Sequence, residues 1–379
     1  MASTSSQFRT FQSVQNYEDA LARHGQWLRW VSGITCPCIN GDTMQPDPRC
    51  TICKGRGKIY KSPGRFRLMN ERAKHDSFGR VYPLLPPVVD GSAAVYRQGV
   101  SLTLAGSQPA DGSYVQLDPP YPKAWQVVTL DYEYDPDIAV TSENSEVYDE
   151  ASFILRTTAT RFTEKGKSFE GSIKSVSRVY NVDQDETYTV TSAFKEYIYL
   201  SAMGAWQSGD VLEVDYIYQA PFDFLLVGIS PRMRYIQPYV LEQADAILIT
   251  PYWAQVAPDD LLTAMATEQI GRAVVNPTNS GSGNDEITSY YDLSRLLRVI
   301  DRSGTEYTVG PGKNVEIFER NELKWNVTKP ATPYVAQFTY HPTYTALTNL
   351  HTLRNAENKA FVNRVGVRQF DKVSDRIEY

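Results

Sequence analysis

The sequence predicts a mainly β protein: several small β-sandwich or barrel-like modules, preceded by a short N-terminal helix and a four-cysteine knuckle. Three observations lead there. Tyrosine and proline number 25 and 22 among 379 residues, which suits many short strands separated by turns. Three segments close alike: VVTLDYEYDP (127–136), VLEVDYIYQAP (211–221) and YVAQFTYHP (334–342). Each alternates large side chains, ends in Tyr-x-Tyr or Phe-x-Tyr, and meets a proline. All four cysteines, Cys36, Cys38, Cys50 and Cys53, fall within the stretch CPCINGDTMQPDPRCTICKGRGKIY (36–60).

In chain order, residues 1–30 read as a mobile Ser-, Thr- and Gln-rich arm and a short amphipathic helix, Tyr17 to Trp30. Tyr17, Leu21 and Leu28 lie on one side of that helix and Trp27 and Trp30 add bulk, so it is expected to pack on the knuckle. Residues 31–83 form the knuckle and a basic region, and YPLLPPVVDG (82–91) is a proline-rich hinge. A first β module occupies 84–137, a linker 138–170 and a second module 171–222. A β insertion follows at 223–290, with Phe222–Ile229 as a buried strand and 276–286 as a flexible loop. The third module is 291–345, and 346–379 is a polar tail expected to order only against a neighbour. Upstream of their closing strands, SRVYNVDQDETYTV (177–190) aligns with LRVIDRSGTEYTV (297–309) as two related hairpins.

The spacing C-x-C, then eleven residues, then C-x-x-C has the two-pair layout of small zinc sites. Cys50 and Cys53 are spaced to grip one ion from a tight turn, and Gly55 and Gly57 supply the backbone freedom a knuckle needs. Pro46, Asp47 and Pro48 stiffen the connecting loop. Arg49, Lys54, Arg56 and Lys58 favour the thiolate form. With four cysteine ligands the site would be closed, hence structural rather than catalytic. Two disulfides or free thiols are the other readings of the same four residues. No secretory signal marks the N-terminus, which favours zinc and folding inside a cell.

The formal charge of −6 excludes a general nucleic-acid binder, and no apolar run reaches bilayer length. Between Arg49 and Arg80, however, ten basic residues face only Glu71 and Asp76, which points to an acidic partner, protein ahead of nucleic acid. The sequence carries no catalytic motif. His24, His75, His341 and His351 form no metal pair, and neither G-x-S-x-G nor a P-loop occurs, so the protein is read as not an enzyme. Asp131, Glu133, Asp135 and Asp137 alternate along DYEYDPD and read as a solvated acidic face.

CTICKGRG fits the C-x-x-C-x-G-x-G repeat of DnaJ-type co-chaperones, but as one copy without the His-Pro-Asp of a J-domain. The whole arrangement resembles virion structural proteins of tailed bacteriophages: a short tryptophan-containing helix, a CPC…PDP-x-C-x-x-C-x-G-R-G knuckle, then β modules closing in V-x-Y-x-Y strands. That resemblance implies a virion component assembled in the host cytoplasm, a homo-oligomeric ring or collar in the head–tail neck. A tail or baseplate position is its alternative. Its partners would be copies of itself and other neck or tail proteins, with no membrane contact. A nucleic-acid-binding knuckle and a glycan-binding host-recognition protein are the readings from other classes.

Overall fold

The computed structural model describes residues 20–21, 23–40, 45–53, 57–157, 161–164, 167–170, 172–204, 206–228, 244–277, 284–287, 292–318, 320–354 and 360–370. They are overwhelmingly β and fall into two units: residues 62–138 with 253–255, and the rest of the chain. Among them, no helix is long and apolar enough to cross a membrane.

The larger unit is built on the strand Gln26–Thr35. It pairs antiparallel with Phe222–Gly228 and with Leu261–Ala264. Phe222–Gly228 pairs with Ala246–Pro251, and the sheet continues through Ala360–Gln369 and Thr343–Arg354 back to Leu261–Ala264. Six antiparallel strands thus close a barrel, which removes every free edge. Leu28, Trp30, Phe222 and Phe224 are fully buried, with Phe222 and Phe224 stacked at 5.5 Å and Trp30 edge-on to Phe222 at 5.6 Å.

Three sequence expectations are corrected in this unit. The helix expected from Tyr17 to Trp30 is not what its second half forms: Ala20, Leu21, Arg23 and His24 are helical, but Trp27, Leu28 and Trp30 lie on a strand, and residues 1–19 lie outside the described residues. Gly25 makes the change of direction, since a Cβ there would sit 2.4 Å from the Leu21 carbonyl oxygen. Both faces of the strand are buried (Leu28 and Trp30 on one, Arg29 and Val31 on the other), so period-2 alternation was invisible. The polar tail is the second correction. Thr343–Arg354 and Ala360–Gln369 are barrel strands: Val362, Val365 and Val367 are buried, held by partners more than a hundred residues away. Third, within 276–286, expected as a flexible loop, residues 278–283 lie outside the described residues and Asp285–Glu286 is a short strand, where buried Asp285 binds Lys329 at 2.8 Å.

The second module is a curled seven-stranded sheet. It takes in Asp137–Asp149 and Ile154–Arg156 from the expected linker, and its ends meet where the Ile173 N–H donates to the Lys195 carbonyl. In the third, a four-stranded and a three-stranded sheet share a core of Leu293, Leu296, Val299, Leu323, Trp325 and Phe338. The smaller unit is a six-stranded sheet closed by the Leu104–Leu117 bridge. It includes Phe66–His75, so residues grouped with the knuckle in the sequence belong here to a barrel.

The three closing strands occupy equivalent places. Val128–Tyr134, Leu212–Gln219 and Tyr334–Tyr340 each pair antiparallel with a long strand, Phe66–His75, Ser172–Asn181 and Leu293–Asp301 respectively. Each long strand ends in a turn capped by one side chain. Asp301 Oδ1 accepts from the Ser303 and Thr305 N–H groups and Oδ2 from the Tyr307 hydroxyl. Asp76 repeats this with Phe78, Arg80 and Tyr82. Asn181 serves a turn one residue longer, accepting from Asp183 and Gln184 and donating to Tyr188. The aligned pair of hairpins is therefore a triple, and KHDSFGRVY (74–82) is the copy that sequence comparison missed. Its strand carries Lys and His where the others carry Val and Tyr or Ile.

Where the barrel meets the second and third modules, Arg29 binds Asp292 at 2.6 Å with both side chains buried. Lys195 donates to the Ser294 carbonyl at 2.7 Å. Burial acts to raise the Asp292 carboxyl, but Arg29, then His341 and Lys195, outweigh it and hold it at about 2. Removing one partner of such a pair leaves an uncompensated buried charge. Asp292→Ala is expected to lower unfolding free energy in urea by about 3–5 kcal/mol, whereas the double variant Arg29→Met/Asp292→Leu recovers most of that loss.

Candidate metal centre

The knuckle is an excursion at the tip of a hairpin. Thr35 ends the barrel strand and Cys36 follows; the chain returns as Lys58–Lys61, pairing Thr35 with Lys58, Ile34 with Ile59, Gly33 with Tyr60 and Ser32 with Lys61. The Cys36 N–H donates to the Gly57 carbonyl at 2.8 Å and closes the excursion at its base. Gly33 lets the hairpin approach the loop before Leu261–Ala264, since a Cβ there would lie 2.6 Å from the Asp259 carbonyl oxygen. Lys58 pairs with Asp259 at 2.9 Å across the same approach.

Two tight turns present the thiols. The Ile39 N–H donates to the Cys36 carbonyl, and the Cys50 N–H to the Asp47 carbonyl. Asp47 Oδ1 accepts from the Arg49 N–H at 2.8 Å and fixes the second turn. All four sulfurs lie within 4.8 Å of one another. Cys36 Sγ is 3.8 Å from Cys50 Sγ, and Cys38 Sγ is 3.4 Å from Cys53 Sγ. A tetrahedral ion with Zn–S bonds of about 2.3 Å places its sulfurs about 3.8 Å apart, whereas a disulfide requires about 2.05 Å. The donor set therefore fits one thiophilic ion, and Cys36 and Cys53 are buried around it.

A residue beyond the cysteines completes the cradle. The Gly57 N–H donates to Cys53 Sγ at 3.3 Å, an interaction that stabilises a thiolate. Gly57 has φ +73°, and a Cβ there would come within 3.2 Å of Pro46 and 3.3 Å of Ile39. The second glycine of C-x-x-C-x-G-x-G was the signal for it in the sequence. Lys54, Gly55 and Arg56 lie outside the described residues. Burial acts to raise the Cys53 thiol, but the Gly57 N–H and the neighbouring thiols outweigh it and hold Cys53 down at about 6. Burial pushes Cys38 up to about 12.

The other residues singled out in the sequence serve structure. Asp131 accepts from the Asn70 N–H, Asp135 pairs with Arg65 at 2.9 Å, and Asp137 accepts from Ser62. The acidic alternation is therefore spent largely on local contacts. His75 contacts the Gln126 carbonyl and His341 the Thr267 carbonyl. Among the described residues the four cysteines are the one group of three or more His, Cys, Asp or Glu able to hold a metal. Scanning the chain against protein-family models and searching the curated proteins returns no match.

The geometry sets four measurable outcomes. The purified chain should carry one zinc by elemental analysis, and Cys53→Ser or Cys38→Ser should carry essentially none. Gly57→Ala should keep the ligands but weaken zinc binding, because a side chain at positive φ costs about 1–3 kcal/mol. Because zinc displaces thiol protons, binding should release protons at neutral pH. Affinity should fall as pH drops, most steeply below about 6, where Cys53 is also protonated. A pH-independent affinity would remove the thiolate site.

Proposed function

We propose that this chain is a structural protein of a tailed-phage virion. It builds a homo-oligomeric ring or collar in the head–tail neck, with zinc holding the knuckle. The observation that carries this reading is the knuckle: a CPC…PDP-x-C-x-x-C-x-G-x-G sequence whose four thiols converge on one point ahead of a series of related β modules. A four-thiolate set leaves no open coordination position, so the metal acts as a staple, and the protein as a scaffold rather than a catalyst. Zinc thiolates suit assembly in the reducing cytoplasm of a host cell, where disulfides do not persist.

A ring needs two complementary side faces on every subunit, a heterologous interface that closes by rotation. The basic residues of 49–80, set in a chain of net charge −6, provide unlike charges for such faces. Arg67, Arg72 and Lys74 are exposed along Phe66–His75. Contacts of this kind steer association and fix register more than they add affinity.

Light scattering and native mass spectrometry of the zinc-loaded chain, alone and mixed with purified heads and tails, test the reading. A closed ring, or saturable binding to the head–tail joint, is the expected result. Binding confined to the distal tail would move the protein to the tail or baseplate. A monodisperse monomer at high concentration that binds neither heads nor tails would overturn it.

A further inference from the structure

The outer face of the smaller unit carries an open groove of about 540 Å³, within the size range of small-ligand sites. It runs over the closing strand Val128–Tyr134. Leu130 and Tyr132 of that strand point into the core, so Thr129 and Asp131 face outward and floor the groove. Tyr96 stands beside Thr129 in register, and Met69 and Asn70 come from the long strand on the other side. Two backbone irregularities shape the walls. Asn70 (φ 57°) sits in the β-bulge between Leu68 and Glu71, and Gln98 and Gly99 (φ 51° and 80°) form a tight two-residue turn after Ala94–Arg97.

Comparison with the equivalent position in the second module sharpens what this floor offers. Aligning the closing strands sets Asp131 against Asp215. Both oxygens of Asp215 are used: Oδ1 accepts from the Ser142 N–H at 2.7 Å and Oδ2 from Arg178 at 2.8 Å. Asp131 is 7% exposed, and its Oδ1 accepts from the Asn70 N–H at 2.6 Å. Its Oδ2 has no hydrogen-bond partner among the described residues, and the groove is lined in part by this residue. That oxygen is not among the buried polar atoms and opens onto the groove, so a donor entering the groove can reach it.

We propose that this groove binds a neutral sugar unit of a glycan. Asp131 is the one acidic side chain in the lining, so the floor favours hydroxyl donors over phosphate and other anions. What it accepts is a hydroxyl pair: Asp131 accepts hydrogen bonds from them, while Thr129 and the amides of Asn70 and Gln98 both donate and accept. Tyr96, Met69 and Val127 give the apolar surface that the C–H faces of a pyranose require. Trp125, two residues before Val127, is 74% exposed, the highest value for any large hydrophobic residue described, and is placed by sequence to extend that surface. Arg72 lies opposite Thr129 in register and is exposed, which puts a donor at the rim without placing a cation in the floor. The inference stands on the smaller unit alone and is independent of the virion reading.

The test is an array of oligosaccharides ending in neutral hexoses or N-acetylhexosamines, beside the same chains ending in sialic or uronic acids. Titration calorimetry on the best neutral binder follows. The full zinc-loaded chain should bind neutral termini. Asp131→Asn keeps the acceptor for the Asn70 N–H, so the bulge survives, and it should weaken binding roughly ten- to a hundredfold, the cost of losing a charged hydrogen bond. Tyr96→Ala, on the outer face, should weaken it at least as much, while Ile270→Ala in the larger unit should leave it unchanged. Binding to no glycan, binding to acidic termini alone, or neutral binding that Asp131→Asn and Tyr96→Ala both leave intact would each overturn the proposal.

Discussion

Gln26–Thr35 is the strand on which the larger unit depends. Its backbone is hydrogen-bonded to Phe222–Phe224 on one side and to Leu261–Ala264 on the other, and its last four residues also pair with Lys58–Lys61. Its side chains serve three structures at once. Leu28 and Trp30 fill the barrel, Arg29 reaches Asp292, and Trp30 Nε1 donates to Asp260 at 2.8 Å. Asp260 Oδ1 in turn accepts from the Gly33 N–H at 2.9 Å. Desolvation raises the Asp260 carboxyl against the pull of those N–H donors, as expected for an acid held among apolar strands. A fault in this strand therefore disturbs barrel closure, the ion pair and the base of the knuckle together.

That base explains why a metal belongs at the tip. Between Cys36 and Gly57 the chain has too few apolar residues for a core of its own, and Ile52 is 66% exposed. Short excursions of this kind are stable only when something replaces the missing burial, and a structural metal does so by coupling its binding energy to folding. The hairpin sets where the knuckle begins and ends; the ion would fix what lies between. Cys36 is the hinge of this arrangement, at once one of the four converging thiols and the N–H that closes onto Gly57.

How much of this was legible follows from the range of the interactions. The metal site was readable, because all four ligands and the turns that aim them lie within 18 residues. The closing strands were readable too, because alternation is a local signal: Tyr132 and Tyr134, Tyr216 and Tyr218, and Phe338 and Tyr340 are all buried pairs on one face. The barrel was not. Some of its strands are buried on both faces, and each pairs with a segment that sequence order places far away. QWLRWV thus imitates a bulky helix, and AFVNRVGVRQ hides three buried valines among polar residues. Gly57 was found as a glycine, but its hydrogen bond to Cys53 sulfur belongs to the folded loop alone.

The threefold recurrence of one hairpin shows how a single plan carries different chemistry. The core side of the closing strands barely changes, since aromatic rings must fill the same volume. The outer side is free to diverge. At the position of Asp131 the second module has Asp215, neutralised by Arg178, and the third has Gln337. The capping acids are held low by their turns in two copies: the N–H groups of Arg80, Phe78 and the Tyr82 hydroxyl overcome burial at Asp76, and Ser303 leads at Asp301. Asn181 does the same work without charge, and its turn has room for an extra residue, with Asp185 at φ 53° where the other copies use glycine. The turn thus constrains backbone geometry and little else. What distinguishes the copies is the outer face of the strands, and there the first copy leaves a carboxylate oxygen unclaimed.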